Sequence, residues 1–427
     1  MTVAERLERQ VLVLGGGPAG LAASLAAAAA GASTLLVERE ERLGGILKQC
    51  VHDGFGLRRF SEALTGPEYA RRFVSLLPGS GVEVLSSTFV HGVRREDGRF
   101  RLTVLNPDRG LFEIEAAALV LATGCRERSD RQVLIHGDRP AGLFTAGLAQ
   151  RLVNVEGLLP GRRALILGSG DIGLIMARRL FLEGVEVEGV YEMKAEPSGL
   201  PRNLAQCLVD YSIPLHLSTT VTEVRGRRRV EAVKVARVDE RGTPLPGTER
   251  EIACDTLVLS VGLIPENEIL LSLGLPLDPV TRGPRVDQEG RVGRAALFAC
   301  GNAVHVNDLV DDVSDSGEAA GRAAARLVLE GEGGSGGHRI PLKAGPGLLY
   351  AVPQVVDAKR PGTVDIHFRS NATLREGARL LLRAGERVIA ERRYPVLRPP
   401  ECARFSFDPA DLGEAEELRL DLERGAP

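Results

Sequence analysis

One pattern occurs twice in this chain and constrains its fold more than any other feature: an apolar strand, a G-x-G-x-x-G turn, a helix, and a second apolar strand ending in an acid. Residues 11–20 read VLVLGGGPAG, so Gly15, Gly17 and Gly20 follow a strand directly. An alanine-rich helix is expected to about Gly31, and TLLVE then closes on Glu38, 18 residues past Gly20. Residues 164–192 repeat the arrangement. There ALILG leads into Gly168, Gly170 and Gly173, LIMARRLFLEG follows, and VEVEGVYE closes on Glu192, 19 residues past Gly173. Each part has a task in holding a dinucleotide. The first glycine makes the turn, the second lets the backbone approach a pyrophosphate, and the third lets helix and strand pack closely. The helix N-terminus offers free N–H groups and a positive dipole end to the phosphates, and the acid accepts hydrogen bonds from a ribose diol.

Two such units predict two dinucleotides. An acid at the end of the second strand favours a free 2′-hydroxyl, whereas a 2′-phosphate would want Arg or Lys there. NADH is therefore expected over NADPH, with nearby Lys194 as the one contrary residue. Between the motifs, FVHGVRREDGRFRLTVLNPDRGLFEIEAAALVLATG alternates and is broken by DG and NPDRG turns, which reads as a β-meander. It ends in Ala122, Thr123 and Gly124. LVLSVGLIPEN at 257–267 reads as the matching meander strand of the second unit, ending at Gly262, and LFACGN at 297–302 as a strand ending at Gly301 and Asn302. A helix is expected from about Ser316 to Glu330.

Composition narrows the class. Fifty glycines in 427 residues is about 12% against a usual 7% or so, yet 44% of residues are hydrophobic and no G-X-Y period exists, so the chain folds. A net charge of −3 supplies no field that would draw nucleic acid or an anionic membrane. No run of eighteen strongly apolar residues is present, and LAASLAAAAA at 21–30 is too short to span a bilayer. The opening MTVAERLERQ reads as charged and helix-prone rather than as a secretory signal. Cysteines at 50, 125, 207, 254, 300 and 402 form no C-x-x-C, which fits neither a disulfide framework nor a zinc site and makes a reducing cytoplasm the expected location.

The order strand-GxGxxG, meander, ATG, second GxGxxG, second meander and returning strand-glycine pair resembles the two-dinucleotide flavoproteins of the pyridine-nucleotide-disulfide oxidoreductase superfamily over about residues 8–330. The stretches GGILKQCVHDGFGL, ATGCRER, RPAGLFTAGLAQRLVN, LGSGDIGLIMARRL, CDTLVLSVGLIPEN and CGNAVHVNDLVD are similar to a narrower branch. Its members are FAD-dependent oxidoreductases found beside FAD-dependent glycerol-3-phosphate dehydrogenases, with relatives in opine oxidase and hydrogen cyanide synthase.

The resemblance implies an α/β fold of two Rossmann-like domains, FAD in the first and NAD(P) in the second, the second inserted in the first. The expected bounds are 1–158 and 276–332 for the FAD domain, 159–275 for the NAD(P) domain and 338–427 for a C-terminal β-rich domain. Carried over by position, Gly15, Gly17, Pro18, Ala19 and Gly20 would hold the FAD pyrophosphate, and Glu38 with Arg39 the adenosine side. Gly44 and Gly45 fall in the loop passing the cofactor, Val90 beside the adenine, and Ala122, Thr123 and Gly124 in the ATG turn. Gly301 and Asn302 would meet the ribityl-phosphate side, with Asn302 standing where most members have Asp. Gly168, Gly170, Asp171, Ile172, Gly173, Glu192 and Gly262 would serve NAD.

Cys50 and His52 are the catalytic candidates, in a loop the resemblance brings near the flavin: a thiolate eased by an imidazole, or an imidazole handling a flavin proton. The other reading is a buried thiol and a hydrogen-bonded loop histidine. The disulfide reductases' paired cysteines are missing, so disulfide reduction is not expected. Cys125, Arg126 and Arg128 border the ATG turn, while Cys254 and Cys300 read as core. His305 with Asp308, Asp311 and Asp312 matches no metal-loop spacing, so helix capping and solvation are expected for the acids and no metal site is assigned. The run RGRRR at 225–229 reads as a solvated hairpin tip.

Beyond a flexible joint at 331–337 the runs VDIHFRS, ARLLLRAGERVIAERRYPVL and ARFSFDP alternate as strands, a module expected to dock a partner subunit or a second copy. The expected activity is hydride transfer between a nicotinamide and a flavin, with a small-molecule redox substrate and electrons exchanged with a partner dehydrogenase. The alternatives are the FAD subunit of an opine or amino-acid oxidase or dehydrogenase with an idle nucleotide site, and a non-catalytic flavin-bearing scaffold.

Overall fold

Each glycine turn of the repeated pattern ends a strand that pairs parallel with both of its neighbours. The computed structural model describes residues 6–331 and 337–424. The chain divides after Cys125 and before Pro265: what lies outside that span forms one unit, and Arg126–Ile264 forms the other.

In the first unit the strand order is Val82–Leu85, Thr34–Val37, Arg6–Leu14, Gly110–Leu121, Arg99–Asn106 and Phe89–Glu96, with Leu297–Ala299 also pairing with Gly110–Leu121. Thr34–Val37 and the end of Arg6–Leu14 are buried on both faces, as continuous apolar runs require in a covered parallel sheet. Arg99–Asn106 alternates instead, burying Phe100, Leu102 and Val104, and pairs antiparallel on both sides as the expected meander. Helices Pro18–Ala29 and Val310–Glu330 pack on each other through small residues, with Gly317 facing the Ala19 backbone and Gly321 the Ala23 backbone.

Two expectations for this unit are corrected. The charged opening is not helical where it is described: Arg6–Gln10 extends the first strand, because Arg6 pairs with Glu115 and Arg9 with Glu83. Residues 1–5 lie outside the described residues. The helix expected from Ser316 starts at Val310, with Asp311 and Asp312 in its first turn, where negative charge suits the helix dipole.

In the second unit a parallel sheet runs Leu215–His216, Glu186–Tyr191, Arg163–Leu167, Thr256–Leu259, Leu143–Thr145, with helix Asp171–Leu182 beside it. The meander is a separate sheet of Arg250–Ala253, Ala232–Arg237, Thr219–Arg225 and His136–Gly137. The LVLSVG strand therefore belongs to the parallel sheet and not to the meander. Asp255 makes the break, since its carboxylate accepts the N–H groups of Arg162 and Arg163 and pins the chain before Thr256. Leu143–Asn154, which the sequence groups with the first domain, packs in this unit. Ala146, Ala149 and Val153 share a core with Leu174, Met176 and Leu180. At the hairpin tip Arg227 and Arg228 are exposed, while Arg229 turns inward to Thr256.

The C-terminal module is β-rich as expected. One sheet runs Val355–Asp357, Arg339–Ala344, Leu418–Arg424, Ala378–Ala384, Arg387–Tyr394; the other runs Leu348–Val352, Val364–Ser370, Ala403–Phe407. Both feed one core that includes Ile340, Leu380, Leu418, Ile366, Phe368 and Phe405. The module belongs to the first unit and is tied to it by Gln354 with Val286, Gln288 with Asp357 and Arg339 with Asp287. Of the expected joint, residues 332–336 lie outside the described residues.

A Cβ at Gly321 would stand 2.1 Å from the Ala23 carbonyl oxygen. Gly321→Val is therefore expected to push the two helices apart and destabilise the protein by about 3 kcal/mol, read as a lower thermal midpoint.

Candidate functional site

The two glycine turns are superposable in their chemistry. At the first, Gly15 takes φ +102°, a Cβ there would lie 2.4 Å from the Ala122 carbonyl oxygen, and a Cβ at Gly20 would lie 1.7 Å from that of Gly15. At the second, Gly168 takes φ +101°, its Cβ would lie 2.0 Å from the Ser260 carbonyl oxygen, and one at Gly173 would lie 2.3 Å from that of Gly168. Both outer glycines are thus demanded by packing. The middle glycines are not. Gly17 and Gly170 have ordinary extended φ values, −76° and −64°, and a Cβ at either would meet nothing closer than 3.8 Å. The fold itself would accept a side chain there, and the space in front of each is clear.

Neither helix N-terminus carries a side-chain cap, so the N–H groups that would face a pyrophosphate are not capped by a side chain. The acids match as well. Glu38 is buried, accepting the Gly16 N–H at 2.6 Å on one carboxylate oxygen and the Glu40 N–H at 2.8 Å on the other. Glu192 is equally buried, accepting the Ser169 N–H at 3.0 Å and hydroxyl at 2.6 Å on one oxygen and the Lys194 N–H at 3.0 Å on the other. Each carboxylate keeps lone pairs for a ribose diol. An uncapped helix start, a clear middle glycine and a fixed carboxylate fit a dinucleotide at both turns.

Around the first turn the other candidates gather. The Gly44 N–H donates to the Gly16 carbonyl at 2.8 Å, and Gly45 backs onto Gly17. Ala122 closes the turn; the Thr123 hydroxyl donates to the Glu266 carbonyl at 2.7 Å, and Gly124 borders open space. The Gly301 N–H donates to the Ser316 hydroxyl at 2.9 Å. Asn302 is turned into its own loop. Its carbonyl oxygen accepts from the backbone and side chain of Asn307, and its amide reaches Cys125 Sγ at 3.5 Å. Thr88, two residues before Val90, donates its N–H to the Glu38 carbonyl, and Arg39 is exposed. In the second unit the Asp171 carboxylate accepts from the Leu200 N–H and the Asn203 amide. Ile172 packs on the core beside it, and Gly262 takes φ +100° at the Arg128 side chain.

Gly16, Ser169 and Ser260 belong to the turns although the motif spacing does not single them out. Laying LVLATG over LVLSVG pairs Ser260 with Ala122 and is the signal that would find it. The expectation that the acids of 308–315 are solvated is corrected: Asp312 and Asp315 pair with Arg58, Asp315 and Glu318 with Arg59, and Asp311 accepts the Arg58 N–H. They fasten the glycine-rich loop containing His52 to the helix Val310–Glu330.

A family model described as "Pyridine nucleotide-disulphide oxidoreductase" matches residues 9–324. The hydrogen cyanide synthase subunit HcnB of Pseudomonas aeruginosa is 32% identical over 62% of this chain and 59% of its own length. An opine oxidase subunit of Agrobacterium tumefaciens is 25% identical over 75% of this chain and 65% of its own. The chain thus spans about three fifths of the curated relatives it matches. Thioredoxin reductase of Lactococcus lactis shares the fold, with a TM-score of 0.63 at 21% identity over 75% of this chain and 99% of that one. Among the described residues no helix is long and apolar enough to cross a membrane.

None of the six cysteines is in a disulfide. Cys50 is buried, its Sγ lies 3.4 Å from the Ile46 carbonyl, and burial pushes its pKa up to about 12. That environment keeps a thiol rather than a thiolate. His52 packs on Phe55 at 5.0 Å with Nδ1 3.1 Å from the Asp53 carbonyl, so it turns to its own loop. Cys254 and Cys300 are buried, and burial pushes them up to about 11 and about 12. With a pKa of about 12, only about one part in ten thousand of Cys50 is thiolate at pH 8. Cys50 is expected to resist alkylation by iodoacetamide at that pH in the native protein and to react on unfolding, followed by mass spectrometry. Rapid native labelling would make it the reactive thiol.

Proposed function

The chain belongs to the pyridine nucleotide-disulphide oxidoreductase family, and from that premise we propose that it is an FAD-dependent oxidoreductase of NADH that exchanges electrons with a partner dehydrogenase of the glycerol-3-phosphate type. The family implies FAD and a nicotinamide nucleotide. When bound, these supply two-electron hydride chemistry of their own, and the protein contributes binding, orientation and electrostatics. The observation that carries the reading is the duplicated cradle, with Glu38 and Glu192 held in the same way by the N–H groups of their turns.

On this reading Gly15, Gly17, Pro18, Ala19 and Gly20 seat the FAD pyrophosphate on the helix start, Glu38 holds its adenosine ribose, and the Gly44–Gly45 loop covers it. Gly168, Gly170 and Gly173 seat the nicotinamide nucleotide. Glu192 holds its ribose, and a buried carboxylate there repels a 2′-phosphate, which favours NADH. Lys194 does not offset it, since its backbone serves Glu192 and its side chain is exposed.

A second reading is favoured by the relatives, two of which are named as subunits: an FAD subunit of an opine or amino-acid oxidase or dehydrogenase complex whose second nucleotide site is idle. Mixing the flavin-loaded protein with NADH under anaerobic conditions separates the two. Rapid bleaching of the flavin band is expected, and Glu192→Arg should weaken the response to NADH more than that to NADPH. No bleaching by either nucleotide would favour the idle site or a scaffold role, and an unchanged Glu192→Arg would remove Glu192 as the ribose acceptor.

A further inference from the structure

The strand Val364–Ser370 is amphipathic in a way the core does not explain. Val364, Ile366, Phe368 and Ser370 are buried in the module, while Asp365, His367 and Arg369 lie on the opposite face. That face meets the loop that follows Gly301 and Asn302. The Arg369 guanidinium donates to the Val306 carbonyl at 3.3 Å and pairs with Asp308, whose second oxygen accepts the Cys402 N–H. These contacts hold Cys402, the residue before the strand Ala403–Phe407, beside His305.

A nitrogen of His305, a nitrogen of His367 and Cys402 Sγ all lie within 4.8 Å of one another. His305 is 6% exposed, and neither of its ring nitrogens meets a hydrogen-bonding partner among the described residues. A buried imidazole without partners is costly. The rings nearest to it, Tyr350 and His367, are 5.8 and 5.6 Å away.

We propose that His305, His367 and Cys402 form a binding site for a divalent transition-metal ion, zinc foremost. Two imidazoles and a sulfur are a borderline-soft donor set. It suits zinc and excludes calcium or magnesium, which need several oxygen ligands. Zinc takes nitrogen at about 2.0–2.1 Å and sulfur at about 2.3 Å, so a tetrahedral ion wants its donors about 3.4–3.6 Å apart. The three donors, within 4.8 Å of one another, would draw in to that size on binding the ion. An imidazole binds the metal in its neutral form, and both ring nitrogens of His305 are unpartnered among the described residues. As the sulfur–zinc bond forms, the Cys402 thiol gives its proton to solvent and binds as the thiolate. The charge of Arg369 is taken up by Asp308.

Three protein ligands leave a fourth position for water or for the Tyr350 hydroxyl. That hydroxyl lies 3.9 Å from Cys402 Sγ and is fixed by Arg369 at 2.9 Å. An ion here would fasten the C-terminal module, through His367 and Cys402, to the loop carrying Gly301, Asn302 and His305. The spacing of the three ligands in sequence is too wide for any short motif to reveal them.

The test uses the full-length flavin-loaded protein, stripped with a chelator and titrated with zinc against a competing chromophoric chelator. Stoichiometric binding is expected. Cys402→Ser and His367→Ala should weaken it beyond the roughly 10- to 100-fold typical of losing an outer-shell partner, with flavin content unchanged. Cys207→Ser should bind zinc as the parent does. Should the variants fail to fold, cobalt added to the parent protein decides: tetrahedral ligand-field bands to the red of the flavin, with a thiolate contribution, support the site. A parent that binds neither zinc nor cobalt, or a folded Cys402→Ser that binds zinc as tightly as the parent, overturns it.

Discussion

Everything in the nucleotide units hangs on one close approach of backbones. Gly20 packs against the carbonyl of Gly15 and Gly15 against that of Ala122; Gly173, Gly168 and Ser260 repeat the contact. No Cβ fits at either outer glycine, and the first needs a left-handed φ. The result is a helix that starts directly over the end of its strand, with its uncapped N–H groups beside the acid of the next strand. Glu38 and Glu192 then bind back to the turn itself, so a buried carboxylate stays paired at the point where a ribose would arrive.

The first unit adds a second layer to this frame. The helix Val310–Glu330 packs on the Pro18–Ala29 helix through glycine and alanine, and its early acids hold Arg58 and Arg59. The loop with Cys50 and His52 is thereby tied down from both ends, by Gly44 to Gly16 and by Arg58 to Asp312. Such fixing is consistent with chemistry that belongs to bound cofactors, for which the protein supplies position. The C-terminal module joins the same unit through Asp287, Gln288 and Asp308.

Much of this was legible in the residues. The spacing of Gly15, Gly17, Gly20 and Glu38 is local and dictated by backbone sterics, so it carried the strand, turn and helix together. The AGER turn likewise marked the Ala378–Ala384 and Arg387–Tyr394 hairpin. What failed was non-local. Arg6–Gln10 has helical propensity, yet pairing with Glu113–Ala116 and the ion pairs of Arg6 and Arg9 make it a strand. The acids of 308–315 look solvated until Arg58, some 250 residues earlier, is folded onto them. The fate of Leu257–Leu259 turned on Asp255 and its bonds to Arg162 and Arg163, which no periodicity reports.

The central claim is that Gly17 is glycine for a ligand and not for the fold. Flavin content and thermal midpoint of Gly17→Ala, purified and reconstituted with FAD beside the parent protein, test it directly. The account predicts a flavin-free midpoint like that of the parent, with FAD binding largely lost. A variant that holds FAD as well as the parent would contradict it.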